Sequence, residues 1–148
     1  MKKILKTLFF LLLIGGLSTN AAPDETGISL TVQVKGAEPA QGQVILSVFT
    51  SPENFLKEAV ISLIEPVNEE GAVVFTIDGL EPGAIAISAI HDADSDGKLK
   101  TGFMGIPKEM VGFSNAAKGR FGPPRFEKAA IQVSESGKIE IQLGRAKD

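Results

Sequence analysis

The chain has no cysteine, no tryptophan, no tyrosine and a single histidine. Without cysteine there can be no disulfide, no thiol nucleophile, no thiolate metal site and no lipid-bearing cysteine after the N-terminal apolar run. His91 standing alone excludes the usual multi-histidine transition-metal centre. There is no Gly-rich phosphate loop, no βαβ spacing, no Gly-x-Ser-x-Gly elbow, no internal repeat and no low-complexity tract. The one long apolar run, Leu8 to Leu17, falls short of the ~20 residues a membrane-spanning helix needs.

That run has another meaning. Lys2, Lys3 and Lys6 precede it, and Thr19 and Ala21 follow it as the small residues of a cleavage site. The pattern is that of a signal peptide over residues 1–21, which makes the protein exported, to a periplasm or out of the cell. Residues 22–148 then form one domain with no transmembrane segment. Its balance is 12 basic against 18 acidic side chains, a net charge of −6. This disfavours nucleic acid as a partner. A chain of this length buries a core large enough to stand without disulfides.

Alternation of apolar and polar residues dominates up to Asp92. Ile28, Leu30, Val32 and Val34 alternate with Ser29, Thr31, Gln33 and Lys35, the period-2 pattern of a half-buried strand. Further strands are expected at Gln43–Thr50, Ala72–Ile77 and Ala84–Ile90, the last nearly all apolar and so central. Val60–Ile64 reads as an edge strand, and Ser51-Pro52-Glu53 as the start of one short helical turn over Asn54–Glu58. Ala129–Val133 and Lys138–Leu143 read as a closing hairpin around Glu135-Ser136-Gly137. The expected fold class is all-β, an antiparallel immunoglobulin-like or transthyretin-like sandwich of about seven strands with one long ordered loop, 91–127. The Leu80-Glu81-Pro82-Gly83 turn, with Leu80 plugging the end of the sandwich and the next strand running into an acidic loop, resembles transthyretin-like and carboxypeptidase-regulatory-like modules. This likeness implies fold and no activity.

Asp92, Asp94, Asp96 and Gly97 match positions 1, 3, 5 and 6 of a Ca²⁺ loop. Carboxylates at alternate positions of a curled loop point at one centre, and Lys98 at position 7 needs to offer only its backbone carbonyl. Leu99 is expected to tuck into the core. Position 12 is Phe103 where a glutamate belongs, and Lys100 at position 9 adds positive charge. Glu109 or Glu127 would have to complete the ligand set. Ca²⁺ is thus the candidate cofactor, against the alternative of an acidic turn whose aspartates bond their own backbone.

The stretch 91–126 holds Phe103, Phe113, Phe121 and Phe126 together with Ile106 and Met110, punctuated by glycine and proline. The rings are expected to cap an open end of the sandwich, with an aromatic ligand pocket as the alternative. Ser114–Gly119 reads as one helical turn capped by Ser114 or Asn115. Lys118, Arg120 and Arg125 near it could hold a carboxylate or phosphate, or pair with the nearby aspartates. His91, Phe113, Ser114, Asn115, Lys118, Arg120 and Arg125 are therefore the candidate ligand-binding residues. No catalytic set emerges, although His91 beside Asp92 is chemically able to act as a base in a small hydrolase. A structural histidine bonded to a loop carbonyl is the competing reading.

His91-Asp92, Asp96-Gly97-Lys98-Leu99, Gly105-Ile106-Pro107, Gly112-Phe113-Ser114-Asn115 and Arg120-Phe121-Gly122-Pro123-Pro124 together resemble the signature of bacterial exported domain of unknown function family 2141. Where that family often carries an aromatic before Gly-Phe-Ser-Asn, this chain has Val111. The resemblance implies an exported fold and brings no activity. The functional expectation is a non-enzymatic module binding a small ligand or an envelope protein through its 91–126 face. The alternatives are a hydrolase using His91 and Asp92, or a structural envelope protein.

Overall fold

The computed structural model describes residues 27–102, 107–120 and 122–145. The expected signal sequence lies outside them, as do Phe103, Ile106 and Phe121. Among the described residues no helix is long and apolar enough to cross a membrane.

Eight strands form two sheets. They are β1 (Ile28–Lys35), β2 (Gln43–Phe49), β3 (Ile61–Pro66), β4 (Ala72–Leu80), β5 (Gly83–Asp92), β6 (Val111–Phe113), β7 (Ile131–Val133) and β8 (Gly137–Gln142). One sheet has the order β4-β1-β8; the other runs β3-β2-β5-β6, with β7 also paired to β5. One α-helical turn, α1 (Phe126–Ala129), and one 3-10 turn, Ser114–Ala116, are the helical elements among the described residues. At Ser51–Glu58 the chain makes hydrogen-bonded turns, with the Glu58 N–H donating to the Asn54 carbonyl at 2.9 Å.

The main core lies between the sheets. β1 contributes Ile28, Leu30, Val32 and Val34, and β4, beside it in the same sheet, adds Val73, Phe75 and Ile77. From the other sheet come Val44, Leu46 and Val48 of β2 and Ile85, Ile87 and Ala89 of β5. Alternate side chains of a strand leave on opposite faces. Full burial of each such aliphatic stabilises by about 1.5–3 kcal/mol, and this offsets the chain entropy that no disulfide reduces. Leu80 is buried at the end of β4, as its turn requires. β3 is an edge strand, paired only with β2. It ends in Glu65-Pro66, and by register Glu65 stands on the inward face, a charge that discourages a further strand.

Two expectations fail here. The segments 131–133 and 137–142 are not a hairpin: β7 pairs antiparallel with β5, whereas β8 crosses to the other sheet and runs parallel to β1. The crossing is pinned by Ser136 Oγ, which accepts the Ser29 N–H at 2.9 Å. Alternation specifies which face of β8 is buried, and Ile141 is fully buried, but the same alternation suits any partner. Nor is 91–126 strand-free. Val111–Phe113 pairs with Ser88–Ile90, too short a run to display a period. Val111 also exchanges two backbone hydrogen bonds with Gly144 (2.9 and 3.0 Å), so β6 joins the two sheets along one side. Gly112 is required at that seam: a Cβ there would sit 2.6 Å from the Gln142 carbonyl oxygen.

Candidate functional site

The candidate residues lie along β5, in the loop that follows it, and on the segment that pairs with its edge opposite β2. The ladder of β2 against β5 pairs Val44 with His91 and Gln43 with Asp92. His91 therefore faces the sandwich core and Asp92 faces outward. His91 is 2% exposed; its Nε2 donates to the Gln41 carbonyl at 2.8 Å, and its N–H donates to the Met110 carbonyl at 2.9 Å. This is the structural histidine bonded to a loop carbonyl. A ring held in the core has no route to a substrate, which removes the geometric basis for His91 as a base.

Asp92 is fully buried at the end of β5. Its carboxylate accepts Gln43 Nε2 and the Gly97 N–H, both at 2.8 Å, and the Asp96 N–H at 3.2 Å. Burial pushes its pKa up, but the Gln43 amide and the Gly97 and Asp96 amides outweigh burial and hold the carboxyl below its ordinary value. The loop can turn this sharply because Ser95 and Gly97 take left-handed backbone conformations. Below it, Gly42 packs so close that a Cβ would lie 2.2 Å from the Asp92 carbonyl oxygen.

Asp94 and Asp96 are exposed, and one carboxylate oxygen each from Asp92, Asp94 and Asp96 lie within 4.8 Å of one another. The Lys100 ammonium contacts Asp94 and lies 3.7 Å from Asp96. The Asp94 hydrogen bond, opposed by burial and helped by the charges of Asp94, Asp96 and Glu109, raises the Lys100 pKa. Glu109 is held at the loop, where its carboxylate accepts the Lys100 N–H at 3.0 Å. Lys98 lies in the same turn, its N–H donating to Asp96 at 2.9 Å. Leu99 is 38% exposed and not tucked into the core. Glu127 sits on α1, away from this loop.

The second region is a strap, residues 111–120 and 122–130, laid along the edge of β5. β6 pairs with β5 over Ser88–Ile90 and β7 over Gly83–Ile85, which leaves a gap at Ile87. Ser114 fills the gap. Fully buried, its Oγ accepts the Ile87 N–H at 2.8 Å and donates to the Ala129 carbonyl at 2.6 Å. The expected cap role is absent, since no side-chain cap bond forms at this turn. Asn115, in a left-handed conformation, donates from Nδ2 to the Lys128 carbonyl at 2.9 Å. These two bonds stitch the limbs of the strap together.

Phe113 and Phe126 do not cap an end of the sandwich. They pack with Phe49, Phe55, Ala86 and Ala129 in a second core on the outer face of the five-stranded sheet. Phe55 meets Phe49 edge-on at 5.3 Å and Phe126 at 5.8 Å. The small outward residues of β5, Ala86 and Ser88, make room for this layer. Lys118, Arg120 and Arg125 stand exposed on the strap, as does Lys128. No ion pair among the described residues joins Lys118, Arg125 or Lys128 to a carboxylate.

The aspartate loop and the Gly112-Phe113-Ser114-Asn115 run thus do not form one cleft. Phe113 lies opposite Ser88, four residues and about 13 Å along β5 from Asp92. Sequence reasoning missed Gln43, the side-chain partner of Asp92, and Phe49 and Phe55, the platform under the strap. Gln43 shows no signal beyond being a polar residue at a strand start; the two phenylalanines follow from the excess of aromatics only once β2 and β5 are paired.

An all-β sandwich with a stitched strap over one sheet and an acidic loop at the end of its central strand is the class this architecture defines. The chain belongs to the bacterial domain of unknown function family 2141: the model of that family, described as an uncharacterized protein conserved in bacteria, matches residues 32–142. No curated protein and no solved structure matches it.

Proposed function

We propose that the chain is an exported, non-enzymatic binding module that presents its strap to a partner in the cell envelope. One contrast carries this reading. His91, Asp92 and Ser114 are buried and hydrogen-bonded into the fold, while Asn115, Lys118, Arg120 and Arg125 stand exposed beside them on a strap held rigid from beneath. A rigid, exposed platform binds without first paying the entropy of ordering a loop. The test is site-specific photocrosslinking in the producing cell, from Glu127 on the strap and from Thr76 on the opposite sheet. Adducts from Glu127 and none from Thr76 are expected; equal labelling from both sites refutes the reading.

A second reading concerns the acidic loop, and the clustering of three carboxylates within 4.8 Å favours it. Ca²⁺ held by Asp92, Asp94 and Asp96, with the Lys98 carbonyl and Glu109 as further oxygens, would displace the Lys100 ammonium from Asp94 and Asp96. Extracellular Ca²⁺ modules work at about 10⁻⁴–10⁻³ M, the range in which a site with an internal competitor would still fill. Melting curves in millimolar calcium and in chelator decide it. Coincident curves leave the loop as a metal-free turn with Lys100 as its cation.

A further inference from the structure

The strap gathers positive charge in a chain that is otherwise acidic. Lys118, Arg120, Arg125 and Lys128 fall within eleven residues that contain one acid, Glu127. Two of the cations come from each limb. The limbs are held together by Ser114 on the Ala129 carbonyl and Asn115 on the Lys128 carbonyl, and by a fold-back so tight that a Cβ on Gly119 would collide with the Gly122 carbonyl oxygen. Elsewhere Lys35 pairs with Glu140, Lys100 with Asp94 and Asp96, and Arg145 with Glu38, while Lys57, Lys98, Lys108 and Lys138, which form no ion pair among the described residues, are not gathered in one short segment. Lys118, Arg125 and Lys128 have no such counterpart among the described residues.

The same side of the molecule carries unburied apolar groups. Ile64, Ile45, Ile90 and Val111 are cross-strand neighbours on the outer face of the five-stranded sheet, and Ile64 is 52% exposed. Leu56 and Val60, beside the aromatic layer that supports the strap, are exposed as well. The opposite side differs. The outer face of the three-stranded sheet presents Ser29, Thr31, Gln33 and Lys35 with Thr76, Asp78, Lys138 and Glu140, and Ala72 and Val74 alone among the described residues of its strands break that polarity.

From this placement we infer that the outer side of the five-stranded sheet is a docking face for an anionic bilayer surface. Lys118, Arg125 and Lys128 meet lipid phosphates, and Leu56, Val60 and Ile64 enter the headgroup boundary. Cations together with exposed aliphatics on one side of a protein are what an interface with charged headgroups above a hydrocarbon layer selects. The cations sit on a raised strap and not in a concavity, which fits a surface better than a small anion. The cleft of about 490 Å³ between Gly27, Ile28, Leu80, Glu81 and Pro82 lies beside the β4–β5 turn and is lined by no cation. With three such cations and an overall acidic chain, attachment is reversible and salt-sensitive, not an anchor.

This inference rests on the strap being the binding face. The exported protein is mixed with vesicles of phosphatidylcholine alone, and of phosphatidylcholine with phosphatidylglycerol, and co-flotation is measured. The expected result is at least about tenfold stronger partitioning onto the anionic vesicles, abolished near ~0.5 M salt. The triple variant Lys118→Glu, Arg125→Glu, Lys128→Glu should lose that preference with its melting temperature unchanged. A control with the same charge change on the other sheet and its margin, Lys35→Glu, Lys138→Glu, Arg145→Glu, should retain most of it. Equal partitioning onto both vesicle types, or equal loss in the two triple variants, overturns the inference. Binding to soluble polyglutamate without flotation overturns the lipid assignment in favour of an acidic protein. Strap-specific crosslinks from Glu127 to protein would then leave the binding face standing while the lipid assignment falls.

Discussion

The outward faces of the two sheets are built from opposite materials. On the three-stranded sheet every second residue of β1 and β8 is polar, so that face ends in solvent. On the five-stranded sheet β5 is apolar or small on both sides, and half of its outer face is roofed by the strap while a row of aliphatics stays open. A sheet with one wet face needs one core; a sheet with two dry faces needs a second layer, which the chain supplies from its C-terminal third. The long stretch after Asp92 exists to make that layer, and the candidate functional groups are those it leaves on top.

The comparison can be broken by unequal responses to similar substitutions. Phe126→Ala, which hollows the second core, should destabilise by about 3–5 kcal/mol in denaturant melts, whereas Val74→Ala on the outer face of the other sheet should stay within about 0.5 kcal/mol. Equal effects would mean that the strap contributes nothing to the fold. Ser114→Ala comes next, at about 2–4 kcal/mol, because it strands both the buried Ile87 N–H and the Ala129 carbonyl. Hydrogen exchange should then show the Ile87 amide opening ahead of its β2-bonded neighbours.

Asp92→Asn should cost about 1.5–3 kcal/mol at neutral pH, since the charged acceptor for the Gln43 amide and for the Gly97 and Asp96 amides is lost. The pH dependence has a definite sign. The folded pKa of Asp92 lies below its unfolded value, so its contribution is fully present above about pH 4 and fades as pH falls through the folded pKa. Wild-type stability should therefore drop in acid while the Asp92→Asn protein follows a flatter curve; parallel curves would show that the carboxylate is not the loop's fastener. The smallest shift concerns the cation. A filled Ca²⁺ site stabilises by RT ln(1 + [Ca²⁺]/Kd), about 1.4 kcal/mol at tenfold excess over Kd. Lys100→Met should enlarge that shift by removing the competing ammonium, and an unchanged response in the variant would dismiss Lys100 as a competitor.

Much of the fold can be read from local pattern. The alternation of Ile28 to Lys35, the unbroken apolarity of Ala84 to Ile90 and the Leu80-Glu81-Pro82-Gly83 turn each state a burial requirement that only a β-sandwich of this kind meets. Pairing is less legible. Lys138–Leu143 carries the right face but no mark of its partner, so a hairpin with 131–133 was as consistent as the parallel ladder with β1. The candidate site was half legible. Asp92, Asp94 and Asp96 stand together because they are close in sequence. His91 and Asp92 part company because adjacent residues of a strand point to opposite faces, and Ser114 became a strut because a gap in pairing 27 residues earlier in the chain, at Ile87, needed an acceptor.

What the sequence determined alone is therefore whatever depends on near neighbours: strand periods, the aspartate turn, the density of phenylalanine and of cations between residues 113 and 128, and the absence of any thiol chemistry. What only the tertiary structure decided is which of those groups remain available. Burial and hydrogen bonding are properties of what packs against a residue from elsewhere in the chain. They withdrew His91, Asp92 and Ser114 into the fold and left the strap's lysines and arginines in the open.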